Sequence, residues 1–275
     1  MFYREDLLAS SGLTIDDISG DWDQFIKAGI KIKESSGSYM VSNATFIKDL
    51  IIRSDLKPGE GIYFDHDDSI LVQSPRFKEA FRIAKAVCEA EIDAKVSIWS
   101  SEWTEGLRRG QIAVEFMGAW LGGQLEDWIA PEANGQWRTA QLPNGHYANW
   151  GGSFYALSNK TKYPQQAWDF LKFMALDVQT QQDAFEKIGA FPALLPAQQG
   201  PFFEENIAYL GGQQARLQWL EASQQIPAIS VHHYDPVASQ IIDDALEKVL
   251  EKNLDIDKAL ADAAKAIEKK ARRRS

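Results

Sequence analysis

The sequence has 275 residues, of which 45% are hydrophobic, so it is long enough and apolar enough to bury a substantial core. Its formal net charge of -10 argues against a nucleic-acid partner, because phosphate binding requires Lys and Arg clustered on one face. The only basic run, Lys269 to Arg274, falls in the last turn of a predicted helix, where cations complement the helix dipole.

The sequence shows no recognisable export signal and no apolar segment typical of a membrane span. No apolar run approaches the roughly 18 residues that a membrane span requires. The opening residues MFYREDLLAS lack the basic start and apolar centre of a signal peptide. The single cysteine, Cys88, cannot form an internal disulfide, so cysteine usage does not decide the compartment.

Helix and strand patterns alternate irregularly along the chain, which predicts a mixed α/β protein. The first long amphipathic helix is predicted to begin after Asp21, which is suited to cap it. The segment IYFDHDDSILVQSP predicts two short strands joined by an acidic turn. Ser74 and Pro75 then provide the cap and the first-turn proline of the next helix.

The second half of the chain continues this alternation. IAVEFMG, residues 112–118, predicts a buried strand that ends at a glycine, and WRTAQLP, residues 137–143, predicts another. FYALS, residues 154–158, predicts a strand before an amphipathic helix that begins at Pro164. Two further helices are predicted near the end of the chain, at 237–252 and 256–271.

No nucleotide-binding or zinc motif occurs, so the sequence predicts neither a cofactor nor a metal site. The acidic run DHDDS lacks the glycine and glutamate that an EF-hand loop requires. Glu102 and Glu105, beside Trp103, leave open a carbohydrate-active hydrolase, which needs two acids at a fixed separation. Sequence spacing does not show that separation, so the hydrolase stays an alternative.

Nine tryptophans are the unusual feature of the composition. An indole ring offers a flat apolar face and one donor, which suits stacking on a sugar ring. Four tryptophans lie beside small or polar residues near predicted strand ends: Trp99, Trp103, Trp120 and Trp150. Four others are expected to fill cores: Trp22, Trp128, Trp168 and Trp219. The first group indicates either a carbohydrate site or additional core packing.

Five segments occur in a characteristic order: MFYREDLLASSGL, DWDQFIKAGIKI, GLRRGQIAVEFMGAWLGGQLED, NWGGSFYALSNKTKYPQQAWDFLKFM and IIDDALEKVLEKNLDIDKALADAAKAI. In this order they resemble the extracellular solute-binding proteins, family 1 type, of carbohydrate ABC importers. The resemblance implies an α/β fold of the periplasmic-binding-protein type II, in which two lobes close on a sugar and present it to permease subunits. It implies a periplasmic or cell-surface location and no enzymatic chemistry.

The resemblance also implies which residues contact the ligand. Trp120 corresponds to the family's aromatic residue after the central strand, which often stacks on a sugar. Trp150, Gly151, Gly152 and Ser153 correspond to the segment that crosses between the lobes, where glycine lets the backbone approach the ligand closely. Four further contacts are implied: His233, Tyr234, Trp103 and Asn43.

The resemblance finally implies that most of the first lobe is missing from this sequence. Residues 1–148 and 199–275 are then one near-complete lobe, and residues 149–198 are a crossing segment with a remnant of the other. The helix after Pro164 is expected to expose an apolar face, which a second chain completing the missing lobe would cover. A protein-interaction module that works through this face is the third alternative.

Overall fold

The central sheet is built around the first residues of the chain, in a computed structural model that describes residues 1–54 and 56–272. Its strands are β1 (Phe2–Arg4), β2 (Val114–Glu115) and β3 (Trp137–Thr139). Their order is β2-β1-β3, and both outer strands run antiparallel to β1. Phe2 pairs with Glu115 on one side and with Thr139 on the other, so these three residues share one face of the sheet.

Backbone hydrogen bonds extend the sheet beyond β2. Residues 39–41 run parallel to residues 112–114, and the Val114 amide donates to the Met40 carbonyl at 2.9 Å. Residues 92–94 form the next parallel segment. The result is a mixed sheet, parallel on one side and antiparallel on the other, which agrees with the predicted α/β class.

Helices pack on both sides of this sheet. The longest of those that line the larger core are α3 (Trp22–Ser36), α4 (Ala44–Arg53), α5 (Pro75–Glu89), α11 (Asp235–Lys252) and α12 (Ile256–Arg272). The others are α1 (Glu5–Ser10), α2 (Ile15–Ser19), α6 (Ser101–Arg108), α7 (Trp120–Gln124), α8 (Pro164–Leu176), α9 (Val178–Ile188) and α10 (Ala215–Gln225). A π-helical turn, Leu125–Ile129, follows α7. Within residues 1–54 and 56–272, none of these helices combines the length and the apolarity that a membrane crossing demands.

The sheet separates two hydrophobic cores. Tyr3 belongs to the larger core, while its neighbour Phe2 belongs to the smaller one, which α6, α7 and residues 207–215 complete. Neighbouring residues of one strand therefore serve different cores, as expected for strands buried on both faces. This is why IAVEFMG is nearly continuous in apolar residues.

The N-terminus of α3 is capped as the sequence predicts, since Asp21 Oδ1 accepts the amide hydrogen of Gln24 at 2.7 Å. The Asp21→Ala variant should lower the free energy of unfolding by about 1 kcal/mol, because a helix amide loses its acceptor. Glu34→Ala, at an exposed position near the other end of α3, should change it by less than about 0.5 kcal/mol. Urea unfolding followed by circular dichroism measures both, and equal losses would contradict the capping role.

The predicted strand at residues 154–158 is not formed. Every residue from 151 to 160 is exposed and outside regular strands, and the Phe154 side chain is 100% exposed. A strand requires a neighbour to receive its backbone hydrogen bonds. No segment among the described residues pairs with this one, so its strand-like composition alone does not create a strand.

The acidic segment after Gly61 also departs from its prediction. In place of two strands it forms a single antiparallel bridge between Phe64 and Ile70. The Asp65 amide donates to the Ser69 carbonyl at 2.8 Å and closes the turn. The turn itself is confirmed, but the segments on either side are too short to extend the ladder.

The predicted helices at the end of the chain are confirmed as α11 and α12. Asp255 caps α12, because its side chain accepts the amide hydrogen of Lys258 at 2.9 Å. Of the basic run that follows, Arg273 and Arg274 lie outside the described residues.

Helix α8 begins at Pro164 as predicted but leaves its apolar side in solvent. No residue from 164 to 176 is buried, and Trp168 is 48% exposed. The expectation that Trp168 fills a core is therefore wrong. The expectation of an exposed apolar face on this helix agrees with these exposures.

Candidate functional site

Three tryptophan rings meet at the edge of the smaller core. Trp99 and Trp120 are stacked, with ring centroids 5.5 Å apart and planes 21° apart. Trp103 lies 5.3 Å from Trp99 and is fully buried, whereas Trp99 is 52% exposed and Trp120 is half-buried. We call Trp99 and Trp120 the tryptophan surface, and Trp103 is its buried support.

The MGAW sequence places Trp120 at the start of α7, after a short link of residues 116–119 from strand β2. A Cβ on Gly118 would lie 2.5 Å from Trp120 Nε1, so only glycine lets the indole fold back over this backbone. Trp103 lies on α6, whose N-terminus is capped by Ser100, and the Ser100 side chain accepts the Trp103 amide hydrogen at 3.1 Å. The capped helix turns the Trp103 ring inward.

From the sequence, Trp99 belongs with the other tryptophans near predicted strand ends, but it is not predicted to contact a ligand. Its backbone is left-handed, with φ 70°, a strained conformation for a residue with a large side chain. The following turn helps to hold it, because the Ser100 amide donates to the Ser97 carbonyl at 3.1 Å. A strained backbone conformation leaves no sequence pattern. The sequence therefore does not predict a ligand contact for Trp99, the more exposed residue of the tryptophan surface.

A buried carboxylate lies below the three rings. Glu115 Oε2 accepts the Nε1 hydrogen of Trp103 at 2.7 Å. Its Oε1 atom accepts from the Ser42 hydroxyl at 3.4 Å and from the Phe116 amide at 3.2 Å. Burial raises the pKa of Glu115 to about 7, against the opposing effect of these hydrogen bonds.

The implied ligand contact of Trp103 is corrected by this geometry. The ring has no exposed surface, and Glu115 already takes its one donor. A fully buried ring has no face free to stack on a ligand. Trp103 instead supports Trp99 from below.

The segment after Asn149, which is predicted to cross between lobes, passes beside Trp120. Gly151 and Gly152 have φ values of 77° and 112°, which favour glycine. A Cβ on Gly151 would lie 4.0 Å from Trp120 Nε1, and a Cβ on Gly189 would lie 3.2 Å from Trp120 Cα. Two separate parts of the segment 149–198 therefore meet the rest of the fold at this tryptophan. Ser153 follows in an exposed position.

Trp150 anchors the start of the crossing segment on α4. Its ring meets Phe46 edge-on, with centroids 4.4 Å apart, and the Arg53 guanidinium lies 5.3 Å from the ring centroid. The ring is half-buried, so this packing uses only part of its surface. Trp150 and Trp120 belong to different cores but are joined through Gly151.

His233 and Tyr234 lie directly before α11. Their rings are 4.1 Å apart, His233 is exposed, and the Tyr234 hydroxyl donates to the Ala271 carbonyl at 3.4 Å. The Asn43 side chain caps α4 by accepting the Thr45 amide hydrogen at 2.8 Å. The contacts described for these residues engage other parts of the fold, and their implied ligand roles stay predictions.

Glu102 and Glu105 lie on the same helix, and both line a surface pocket of about 420 Å³ between α6 and residues 94–96. Glu102 is exposed, and Glu105 forms ion pairs with Arg108, at 3.3 Å, and with Arg109. Trp103, which lies between them in sequence, points into the core. These carboxylates lie on the outer side of α6.

The mixed sheet and its two flanking cores place the chain among α/β proteins, and a family match narrows this class. Residues 1–210 match the family described as bacterial extracellular solute-binding protein, and the chain belongs to this family. The family consists of binding receptors and not of enzymes, as predicted.

Among its relatives is the lactose-binding protein of Rhizobium radiobacter. The two sequences are 26% identical over 238 residues, which are 84% of this chain and 56% of the relative. This chain therefore spans about half the length of that curated relative.

Solved structures share the fold. The ABC transporter associated binding protein from B. animalis subsp. lactis Bl-04, in complex with beta-1,6-galactobiose, aligns with a TM-score of 0.80 and 23% identity. That alignment covers 99% of this chain and 71% of the other. The sugar-binding protein MalE from Xanthomonas citri aligns with a TM-score of 0.75 and 20% identity, over 99% and 68% of the two chains. The predicted solute-binding fold is confirmed.

Proposed function

We propose that this chain binds a sugar or oligosaccharide, without altering it, as part of the solute receptor of a carbohydrate ABC importer. One relative is named for lactose, and one structural neighbour was solved with beta-1,6-galactobiose. Both sugars contain a β-linked galactose, so β-galactosides are the first candidates. The receptor would work outside the cytoplasmic membrane and deliver the sugar to permease subunits, in keeping with its family.

The tryptophan surface is the observation that carries this proposal. Trp99 presents about half of its side chain to solvent, and Trp120 is stacked beside it. The C–H face of a sugar ring can pack on such indoles, while its hydroxyls remain free for polar partners. The position next to Gly151 favours a ligand held where the two lobes of a receptor meet.

We propose the following lobe division for this chain. Residues 1–148 and 199–275 form one lobe, and residues 149–198 belong to the other. In support, the larger core takes its buried residues from 1–116 and 238–267. None of the side chains from 151 to 184 is buried, so this stretch contributes little to that lobe.

The exposed apolar side of α8 supports a further partner, a first-lobe sheet contributed by a second chain or by a further segment of the same protein. Phe170 and Phe173 are exposed on α8, and Phe154 projects fully into solvent before it. The isolated chain should therefore self-associate at high concentration and bind a hydrophobic dye. A monomer in light scattering that binds no dye would contradict this partner.

Calorimetry tests the sugar site. With lactose, galactobiose and a panel of other mono- and oligosaccharides, the Trp120→Ala variant should bind about 30-fold more weakly, a loss of about 2 kcal/mol. Trp128→Ala is the control, because Trp128 lies outside the tryptophan surface, on the π-helical turn, and is about as exposed, at 49%, as Trp99. Titrations are run on the chain alone and with the first lobe supplied, since one lobe's contacts give only part of the affinity.

Two results would count against the site. If no sugar binds even when the first lobe is supplied, the receptor function is wrong for this chain. If Trp128→Ala weakens binding as much as Trp120→Ala does, the ligand does not lie on the tryptophan surface.

A further inference from the structure

We infer that Glu115 is a positioning residue, which sets the geometry of the tryptophan surface through the ring of Trp103. Its importance for sugar binding rests on the proposed function, whereas its effect on the rings does not. The inference goes beyond the ligand contacts, because Glu115 is buried, with 1% exposure, and lies behind the surface that a ligand would meet.

A continuous series of contacts leads from the carboxylate to the exposed ring. Glu115 Oε2 accepts the Trp103 Nε1 hydrogen at 2.7 Å, and the Trp103 ring lies 5.3 Å from Trp99. Trp99 in turn stacks on Trp120 at 5.5 Å. Trp103 is also held by its backbone, through the Ser100 cap, so Glu115 fixes the remaining freedom of the indole.

The same core does not supply a protein acceptor to every buried indole. Trp137 is as fully buried as Trp103, and no protein group among residues 1–54 and 56–272 accepts from its Nε1 atom. Burial of an indole therefore does not by itself place a carboxylate beside it. The acceptor under Trp103 is better explained by the orientation of the one buried tryptophan that supports the surface.

Burying a carboxyl group at position 115 also lowers the stability of the fold. Phe2, on β1, is the strand partner of Glu115. Three other groups contact the carboxyl: the Trp103 indole, the Ser42 hydroxyl and the Phe116 amide. They offer hydrogen bonds, but none of them is a cation that would offset the burial of a charge. The Glu115 carboxyl is kept despite the cost of burying it, and it accepts from the Trp103 indole. Both facts are consistent with a positioning role.

Circular dichroism of the ligand-free chain tests the inference. Two stacked indoles couple their transitions and give a paired positive and negative band that depends on their mutual angle. Glu115→Gln keeps an oxygen acceptor and should keep this band, whereas Glu115→Leu removes the acceptor and should change it strongly. Trp137→Phe is the control, because it removes an unpartnered donor from the same core and should leave the band intact.

Each variant is measured below its own unfolding transition, so that only folded protein is compared. If Glu115→Leu does not fold, Glu115→Ala takes its place. Should the band be unchanged in a folded variant that lacks the acceptor, the positioning role is overturned, whatever the loss of stability.

Sugar titration separates this inference from the proposed function. If a sugar binds, the variant that lacks the acceptor should bind it about fivefold more weakly, and Glu115→Gln should retain the affinity. If the band changes but the unsubstituted chain binds no sugar, the receptor function fails and the positioning role stands. If the circular dichroism band changes but the sugar affinity does not, the ring geometry does not affect sugar binding. That result would overturn the link between Glu115 and the ligand.

Discussion

The Lys48→Ala variant is expected to lose about 3 to 5 kcal/mol of its free energy of unfolding. The Lys48 side chain lies on α4 with 0% exposure, 2.7 Å from Asp49, and it also pairs with Asp243 on α11. Burial alone lowers the pKa of Lys48, but the Asp49 charge and the hydrogen bonds to Asp243 and Asp49 outweigh it, so the pKa is raised. Without the cation, two partly exposed carboxylates lose their shared partner, and a cavity replaces the fully buried lysine side chain.

Two further variants separate charge from packing. Lys48→Met fills the same space without the charge and should lose less stability than Lys48→Ala. Lys78→Ala removes an exposed pair with Asp257, 2.6 Å long, that joins α5 to α12, and should cost less than about 1 kcal/mol. Urea unfolding measures all three, and similar losses for Lys48→Ala and Lys78→Ala would show that burial does not strengthen the first pair.

The helices could be predicted well because their signals are local. Asp21 caps α3, and proline occupies the first turn of α5 and of α8, as the sequence indicates. A cap or a first-turn proline acts within one turn of the chain, so neighbouring residues suffice to place it. The exposure of α8 was harder to predict, because burial depends on what lies opposite the helix.

The strands depended on partners distant in sequence. Short parts of the two predicted strands, Val114–Glu115 and Trp137–Thr139, form β2 and β3 because the first residues of the chain lie between them. FYALS has a similar composition but no described partner, and it stays outside any sheet. Composition therefore predicts the tendency to form a strand, while pairing decides the outcome.

The candidate site was predicted in its aromatic character but not in its arrangement. Sequence reasoning selected Trp103, Trp120 and Trp150, yet the face of α6 puts Trp103 in the core and a left-handed backbone puts Trp99 at the surface. Glu115 was visible in the sequence as a lone charge within an apolar strand. Its role could not be read there, because the Trp103 donor comes from a separate helix.

Between pH 4.5 and about 7, Glu115 should make the chain progressively less stable as the pH rises. Its pKa is raised from 4.5 to about 7 by burial, so in this range the unfolded chain releases the proton while the folded chain keeps it. The Glu115 contribution is fully present below the unfolded pKa and is lost as the pH rises to the folded pKa. A shift of this size corresponds to about 3 kcal/mol.

The Glu115→Gln variant isolates this contribution, because its amide does not titrate. Its free energy of unfolding relative to the unsubstituted chain should increase by about 3 kcal/mol between acidic and mildly alkaline buffer. Glu102→Gln, at an exposed position on α6, should show no such change. The carboxyl oxygens can accept from Trp103 in either protonation state, so the tryptophan circular dichroism should stay constant while the stability changes. A stability difference independent of pH would mean that Glu115 is charged in the folded chain throughout this range.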